Sequence, residues 1–156
     1  MKIYIGSDHH GVDVRFNLGR LMESLGHEVV DVGPKSDQEK STDYPDVAAE
    51  VALAVSQGRA DRGVLICGTG IGMSIVANKF PGVRAAPILD VFCAELSRRH
   101  NDLNVLCLSA EMTTESSMTD VVRAWLRTEF PGELRHRRRL KRLEAIEQEQ
   151  IKANRQ

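Results

Sequence analysis

Five short apolar runs alternate along the chain with five longer stretches whose apolar residues recur at helical spacing. Lys2–Gly6 (KIYIG), Glu28–Gly33 (EVVDVG), Arg62–Cys67 (RGVLIC), Arg84–Leu89 (RAAPIL) and Asn104–Leu108 (NVLCL) predict strands. Val12–Leu25, Pro45–Val55, Ile71–Lys79, Val91–His100 and Glu115–Thr128 predict helices. Strands joined through helices run parallel, and a parallel sheet needs cover on both faces. The expected class is therefore α/β. In such sheets ligands sit beyond the carboxyl ends of the strands. Three polar clusters fall there: SDHHG after the first strand, GPKSDQEKSTDYP after the second and GTGIG after the third.

The 156 residues suffice for one domain with a real core and argue against two. We expect the domain to span 1–132. A C-terminal helix over 133–156 follows Pro131-Gly132, free of Gly and Pro from Leu134 onward. Leu134, Leu140, Leu143, Ile146 and Ile151 give that helix only a thin apolar stripe, which suggests an arm laid across a partner subunit. A net charge of −1 gives no global pull toward nucleic acid or membrane, and aromatics are only 4%. No apolar run approaches the roughly 18 residues of a membrane span, and the N-terminus does not read as a signal peptide. Cys67, Cys93 and Cys107 form no CxxC pair, and three free thiols suit a reducing cytoplasm. Cys93 and Cys107 both read as buried.

The chemistry concentrates at Leu65–Lys79, LICGTGIGMSIVANK. A cysteine closing a strand is most often an inert buried residue. Here Gly68, Gly70 and Gly72 allow close backbone approach, and their N–H groups can converge on an anion at a helix N-terminus. Such a field favours thiolate. Thiolate beside an N–H cradle suits proton abstraction next to a carbonyl, or a nucleophile for acyl transfer. The loop is no P-loop, since no Gly-Lys-Ser/Thr follows, and it is too short for the dinucleotide fingerprint. Asp8-His9-His10 is either a capped polar turn or a rim group beside the third-strand loop. The triplet also resembles that of the metal-dependent DHH phosphoesterases, but further acidic ligands are not evident and we expect no metal. His100-Asn101 ends a helix and offers a cap or a proton donor. Arg135 to Arg139 form a cationic run suited to a solvated face or a phosphate monoester.

GSDHHG, TDYPD, LICGTGIGMSIVANK, LSRRHNDLNVL and RHRRR, in this order, resemble the ribose-5-phosphate isomerase B family, which includes the galactose-6-phosphate isomerase subunits. The resemblance extends to about Glu147. It implies a Rossmann-like three-layer sandwich, a five-stranded parallel sheet with helices on both faces and a C-terminal helical arm. It also implies a homodimer, possibly a tetramer, with sites between subunits. The implied reaction is aldose–ketose isomerisation of a phosphosugar through an enediolate, with no cofactor. Cys67 falls on the base, Gly68, Gly70, Ile71 and Gly72 on the enediolate loop, and Thr69 on a residue linked to ring opening. His100 falls on the ring-opening acid. Asp8, His9 and Asn101 match substrate contacts, and Arg135 and Arg139 match phosphate-binding arginines. Members lacking the cysteine use a glutamate in the loop helix, where this chain has Ser74 or Ile75.

Two departures stand out. Glu111 occupies a position where the family usually carries a phosphate-binding arginine. It can point into the site, turn to solvent or pair with a tail arginine. The turn at Phe130–Arg135 carries one extra residue, so Arg137 or Arg138 are alternative phosphate ligands. Ribose 5-phosphate is the default substrate. Allose 6-phosphate, galactose 6-phosphate or a non-catalytic phosphosugar-binding role are the alternatives.

Overall fold

The computed structural model describes residues 1–34 and 43–153. Its elements run β1 (Lys2–Ser7), a short 3-10 turn (His9–Gly11), α1 (Val12–Ser24), β2 (Glu28–Asp31), α2 (Tyr44–Ser56) and β3 (Arg62–Cys67). They continue with α3 (Ile71–Ala77), β4 (Ala85–Pro87), α4 (Val91–Asn101), β5 (Val105–Ser109), α5 (Glu115–Arg127) and α6 (Leu134–Ala153). Every strand pairing is parallel, in the order β2-β1-β3-β5-β4. The α/β sandwich expected from the alternation is therefore present, Rossmann-like and three-layered.

Each expected strand and helix appears, and the differences lie at the sheet edges. β2 stops at Asp31 and β4 holds three residues, both shorter than their apolar runs. An edge strand has one neighbour, so half of its ladder is missing. Pro87 is tolerated in β4 because it lies at the edge. Most of the second polar cluster, residues 35–42, lies outside the described residues.

The central strands explain why the runs are continuous. Every residue of β3 is buried, because Val64 and Ile66 face one layer while Leu65 and Cys67 face the other. The first layer joins α1, α4 and α5, with Leu18, Met22, Val121 and Trp125 packed against the sheet. The second joins α2 and α3 through Val47, Val51, Met73 and Ala77. Trp125 is fully buried, and its indole N–H donates to the Leu103 carbonyl at 3.2 Å. Arg62 lies 5.0 Å from that ring and donates to the Trp125 carbonyl at 2.9 Å, closing α5. Burial, then the Arg98 charge, brings its guanidinium down to about 10.

α6 docks on its own chain at two points. His136 stacks on His100 of α4 with ring centroids 4.4 Å apart, and the Glu147 carboxylate accepts the Gly82 N–H at 2.9 and 3.1 Å. Between these points Leu143 and Ile146 remain exposed, as does Leu134 at the helix start.

Candidate active site

The strand order places the site. β1 crosses to β2 on one side and β2 crosses to β3 on the other, so the order reverses between β1 and β3. A crevice opens at the carboxyl ends of two such strands. Cys67 ends β3 and Asp8 follows β1. Ser7 pairs in register with Ile66, and the Asp8 N–H donates to the Ile66 carbonyl at 3.2 Å. On the other flank of β3, β5 delivers Glu111, whose N–H donates to the Gly68 carbonyl at 3.1 Å. Ser109 Oγ donates to the same carbonyl at 2.6 Å.

Cys67 carries a free thiol, 6% exposed, and the Gly70 N–H donates to its Sγ at 3.2 Å. That donor lies at the start of α3, on the glycine loop. Gly70 has φ +73°, and a Cβ on it would stand 3.1 Å from the Leu108 carbonyl oxygen. Only glycine makes this turn without strain. The exposed Thr69 lies on the same loop, its Oγ1 accepting the Ile71 N–H at 3.3 Å. Gly72 packs under the Tyr44 ring, which stands 2.7 Å from where a Cβ would be. Tyr44 belongs to the TDYPD stretch but has no reactive neighbour in sequence that would single it out.

The other two thiols differ. Cys107 is fully buried, and burial, then the Cys67 charge, pushes its thiol far above the usual range. Cys93 is exposed, contrary to the expectation from its helical spacing. Val91 and Phe92 beside it are exposed too, so the first turn of α4 turns its apolar residues outward. The hydrogen bond with Asp90, then burial, raises the Cys93 thiol.

Both readings of Asp8 hold together. Its Oδ1 accepts the His10 N–H at 2.9 Å as the cap of the 3-10 turn, and it lies buried at the crevice rim. His9 is exposed, with its ring centroid 3.9 Å from that of His10. His10 Nε2 stands 3.8 Å from Glu111 Oε1. Glu111 stands at the rim with its side chain 59% exposed, and no tail arginine pairs with it among the described residues. Its carboxylate lies over Gly68, where a Cβ would meet Oε1 at 2.8 Å. Beneath this rim, the buried Arg15 donates to Ser7 Oγ at 2.9 Å, pairs with Asp31 at 2.9 Å and reaches the Pro34 carbonyl. Sequence reading passed over Arg15, although it occupies the buried stripe Val12-Arg15-Leu18-Met22 of α1. An arginine among apolar neighbours was the signal.

His100, Asn101, Arg135 and Arg139 lie elsewhere. α4 begins after the carboxyl end of β4 and ends just before β5 starts, so His100 and Asn101 occupy the amino rim of the sheet. α6 joins them there through the His136–His100 stack. A strand of five or six residues, about 17–20 Å, separates this rim from Cys67. One chain therefore does not bring the two groups together.

His136 is 2% exposed and neither ring nitrogen has a hydrogen-bond partner. Glu133 Oε2, 3.7 Å from Nε2, is too distant to serve. Burial, then the His100 and Arg135 charges, hold the imidazole below the ordinary histidine value, with Glu133 opposing. A depressed histidine contributes stability that is complete above its unfolded value and lost as pH falls through the folded one. The melting temperature should thus fall between about pH 7 and pH 5 more steeply than in His136→Phe, which keeps the stack. Parallel pH profiles for the two proteins would contradict this.

Comparison with known proteins identifies the family. The ribose/galactose isomerase family matches residues 3–143. Ribose-5-phosphate isomerase B of Escherichia coli is 43% identical over 147 residues, covering 94% of this chain and 97% of that protein. The structure of ribose-5-phosphate isomerase B from Clostridium thermocellum superposes with a TM-score of 0.90 at 43% identity, over 96% of this chain and 99% of that one. The Mycoplasma genitalium enzyme, solved with bound ribulose 5-phosphate, gives a TM-score of 0.90 at 38% identity, over 95% and 97%. This chain belongs to the ribose/galactose isomerase family.

Proposed function

We propose that this isomerase interconverts ribose 5-phosphate and ribulose 5-phosphate through an enediolate, with Cys67 as base, in a site completed by a second copy of the chain. What carries this is the free thiol at the end of β3, 3.2 Å from the Gly70 N–H on a glycine loop. His100 gives a proton to the furanose ring oxygen while Thr69 assists loss of the C1 hydroxyl proton, which frees the aldehyde. The Cys67 thiolate then takes the proton from C2. The electron pair enters the C1–C2 bond, and the charge that gathers on O1 meets the N–H groups of the Gly68–Gly72 loop. A proton passes from O2 to O1, and the thiol returns its proton to C1, giving the ketose. Proton transfers alone balance these steps.

Asp8 and His9 hold the sugar beside this loop. His100, Asn101, Arg135 and Arg139 come from the second subunit of a homodimer, the arginines taking the phosphate. Two observations support a shared site: the opposite rims within one chain, and the apolar residues Ile75, Phe92, Leu143 and Ile146 left exposed. A groove of about 740 Å³ between β4, α4 and α6, lined by Leu96, Leu103, Leu140 and Leu143, adds to that surface. α6 is the arm that lies on the partner, and dimers can pair into tetramers. The pentose phosphate pathway in the cytoplasm is the setting, and three free thiols fit it. No described helix is long and apolar enough to cross a membrane.

Glu111 favours a second reading. Two unit charges about 4 Å apart interact by about 4 kcal/mol near a protein surface, so a carboxylate over Gly68 opposes a phosphate brought close. A six-carbon substrate such as allose 6-phosphate or galactose 6-phosphate carries its phosphate one carbon farther from the reacting end. Turnover of all three sugars in EDTA distinguishes the readings. Highest kcat/KM on ribose 5-phosphate supports the first, and preference for a six-carbon sugar supports the second. Binding without turnover on any sugar would indicate a non-catalytic relative.

Alkylation offers a further check. Iodoacetamide should inactivate in step with labelling of Cys67, and phosphosugar should protect that residue. Cys107 should stay unlabelled. Inactivation that follows Cys93 labelling instead would contradict the role of Cys67.

A further inference from the structure

The isomerisation uses Asp8 and His9 and leaves His10 without a task. Asp8, His9 and His10 nevertheless present three metal-ligand atoms within 4.8 Å of one another. His10 stands between two carboxylates, with Nδ1 3.4 Å from Asp8 Oδ2 and Nε2 3.8 Å from Glu111 Oε1. A tetrahedral ion with bonds of about 2.1 Å sets its ligands about 3.4 Å apart, which is the Asp8–His10 spacing. A histidine that ligates through one nitrogen usually gives its other N–H to a carboxylate, which fixes the ring. Glu111 stands on that side at 3.8 Å, beyond hydrogen-bond range, so it contributes its charge to the site rather than a fixed ring orientation. It comes from the segment after β5, so its placement is independent of the Asp8–His10 turn. Asp8 is buried and positioned as a cap, while His9 and His10 are exposed, so an ion can enter from solvent without unfolding the rim.

We propose that Asp8, His9 and His10 bind a divalent transition-metal ion of the zinc class, with the Glu111 carboxylate adding negative charge beside the site, and that the bound ion excludes the phosphosugar. Two imidazoles and one carboxylate select zinc, cobalt or nickel over the hard ions magnesium and calcium. Three protein ligands leave a fourth position for water. The ion occupies Asp8 and His9, so sugar and metal compete for the same atoms. Zinc therefore acts as a reversible inhibitor that a chelator removes. The competition rests on the isomerase reading, whereas the ion site rests on the rim geometry alone.

The test separates the two. Zinc is titrated calorimetrically into EDTA-stripped, dialysed protein, wild type, His10→Gln and Glu111→Gln, with melting curves to confirm that each variant folds. Magnesium is the control. We expect one zinc site per chain that His10→Gln removes and Glu111→Gln weakens through the lost carboxylate charge, with no magnesium binding. Identical zinc titrations for wild type and His10→Gln would overturn the site, because the ion would then sit at Cys93 or on another histidine. Adding ribose 5-phosphate to the titration should weaken zinc binding, and zinc should raise KM without lowering kcat. Zinc binding unaffected by saturating phosphosugar would overturn the competition. If no phosphosugar binds at all, the isomerase reading fails, and the His10→Gln comparison still decides the metal site.

Discussion

Replacing Cys67 with alanine should lower kcat on ribose 5-phosphate by about 10²–10⁴-fold, the usual contribution of one positioned acid–base group. The loss should fall on kcat with little change in KM, because the sulfur is needed at the transition state while other groups hold the sugar. No other base stands in the loop, where Ser74 and Ile75 occupy the positions after the glycines. Alanine fits the end of β3 without strain, and the substitution removes only the hydrogen bond from the Gly70 N–H to sulfur. The variant should therefore melt as a folded protein. Activity above about 5% of wild type in a folded Cys67→Ala protein, well outside that range, would remove Cys67 from the role of base.

The second large effect concerns the two rims. Cys67→Ala and His100→Ala should each be nearly inactive as separate proteins. Refolded or co-expressed together, they should recover about a quarter of wild-type activity in a two-fold dimer. Half of the dimers formed at random are mixed, and each mixed dimer has one site with an intact Cys67 from one subunit and an intact His100 from the other. If both residues served the same chain, no mixing could restore a complete site. A mixture that stays as inactive as its components, while size-exclusion chromatography shows mixed dimers, would end the shared-site account.

The parts of the molecule that were legible in the sequence are those where local chemistry and tertiary environment coincide. RGVLIC reads as a strand to the residue because β3 is covered on both faces, so every side chain after Arg62 is apolar or absent, and Arg62 itself is buried against Trp125. Cys67 and its loop were legible because a left-handed turn at Gly70 demands glycine and leaves a visible pattern. The order β5 before β4 was not legible, since helical spacing does not say on which side a crossover returns. The meeting of His10 and Glu111 depended on that order, because both flank β3 only when β1 and β5 are its neighbours. Cys93 shows a different limit. Apolar residues on the first turn of α4 looked like core, yet Val91, Phe92 and Cys93 face outward. An exposed apolar turn and a buried one have the same composition when only the sequence is read. Arg15 shows the converse, a charge in a buried stripe that is satisfied by Ser7, Asp31 and Pro34.

The central claim is metal-free enediolate chemistry at Cys67 on a phosphosugar. Its most direct test is NMR of ribose 5-phosphate in D₂O with the purified protein and EDTA. The account predicts ribulose 5-phosphate carrying solvent deuterium at C1, together with exchange at C2 of the recovered ribose 5-phosphate, since a thiol that holds the proton between carbons trades it with solvent. Ribulose 5-phosphate formed only after a divalent metal is restored would contradict the account, and so would the absence of both exchange and product across the five- and six-carbon aldose phosphates.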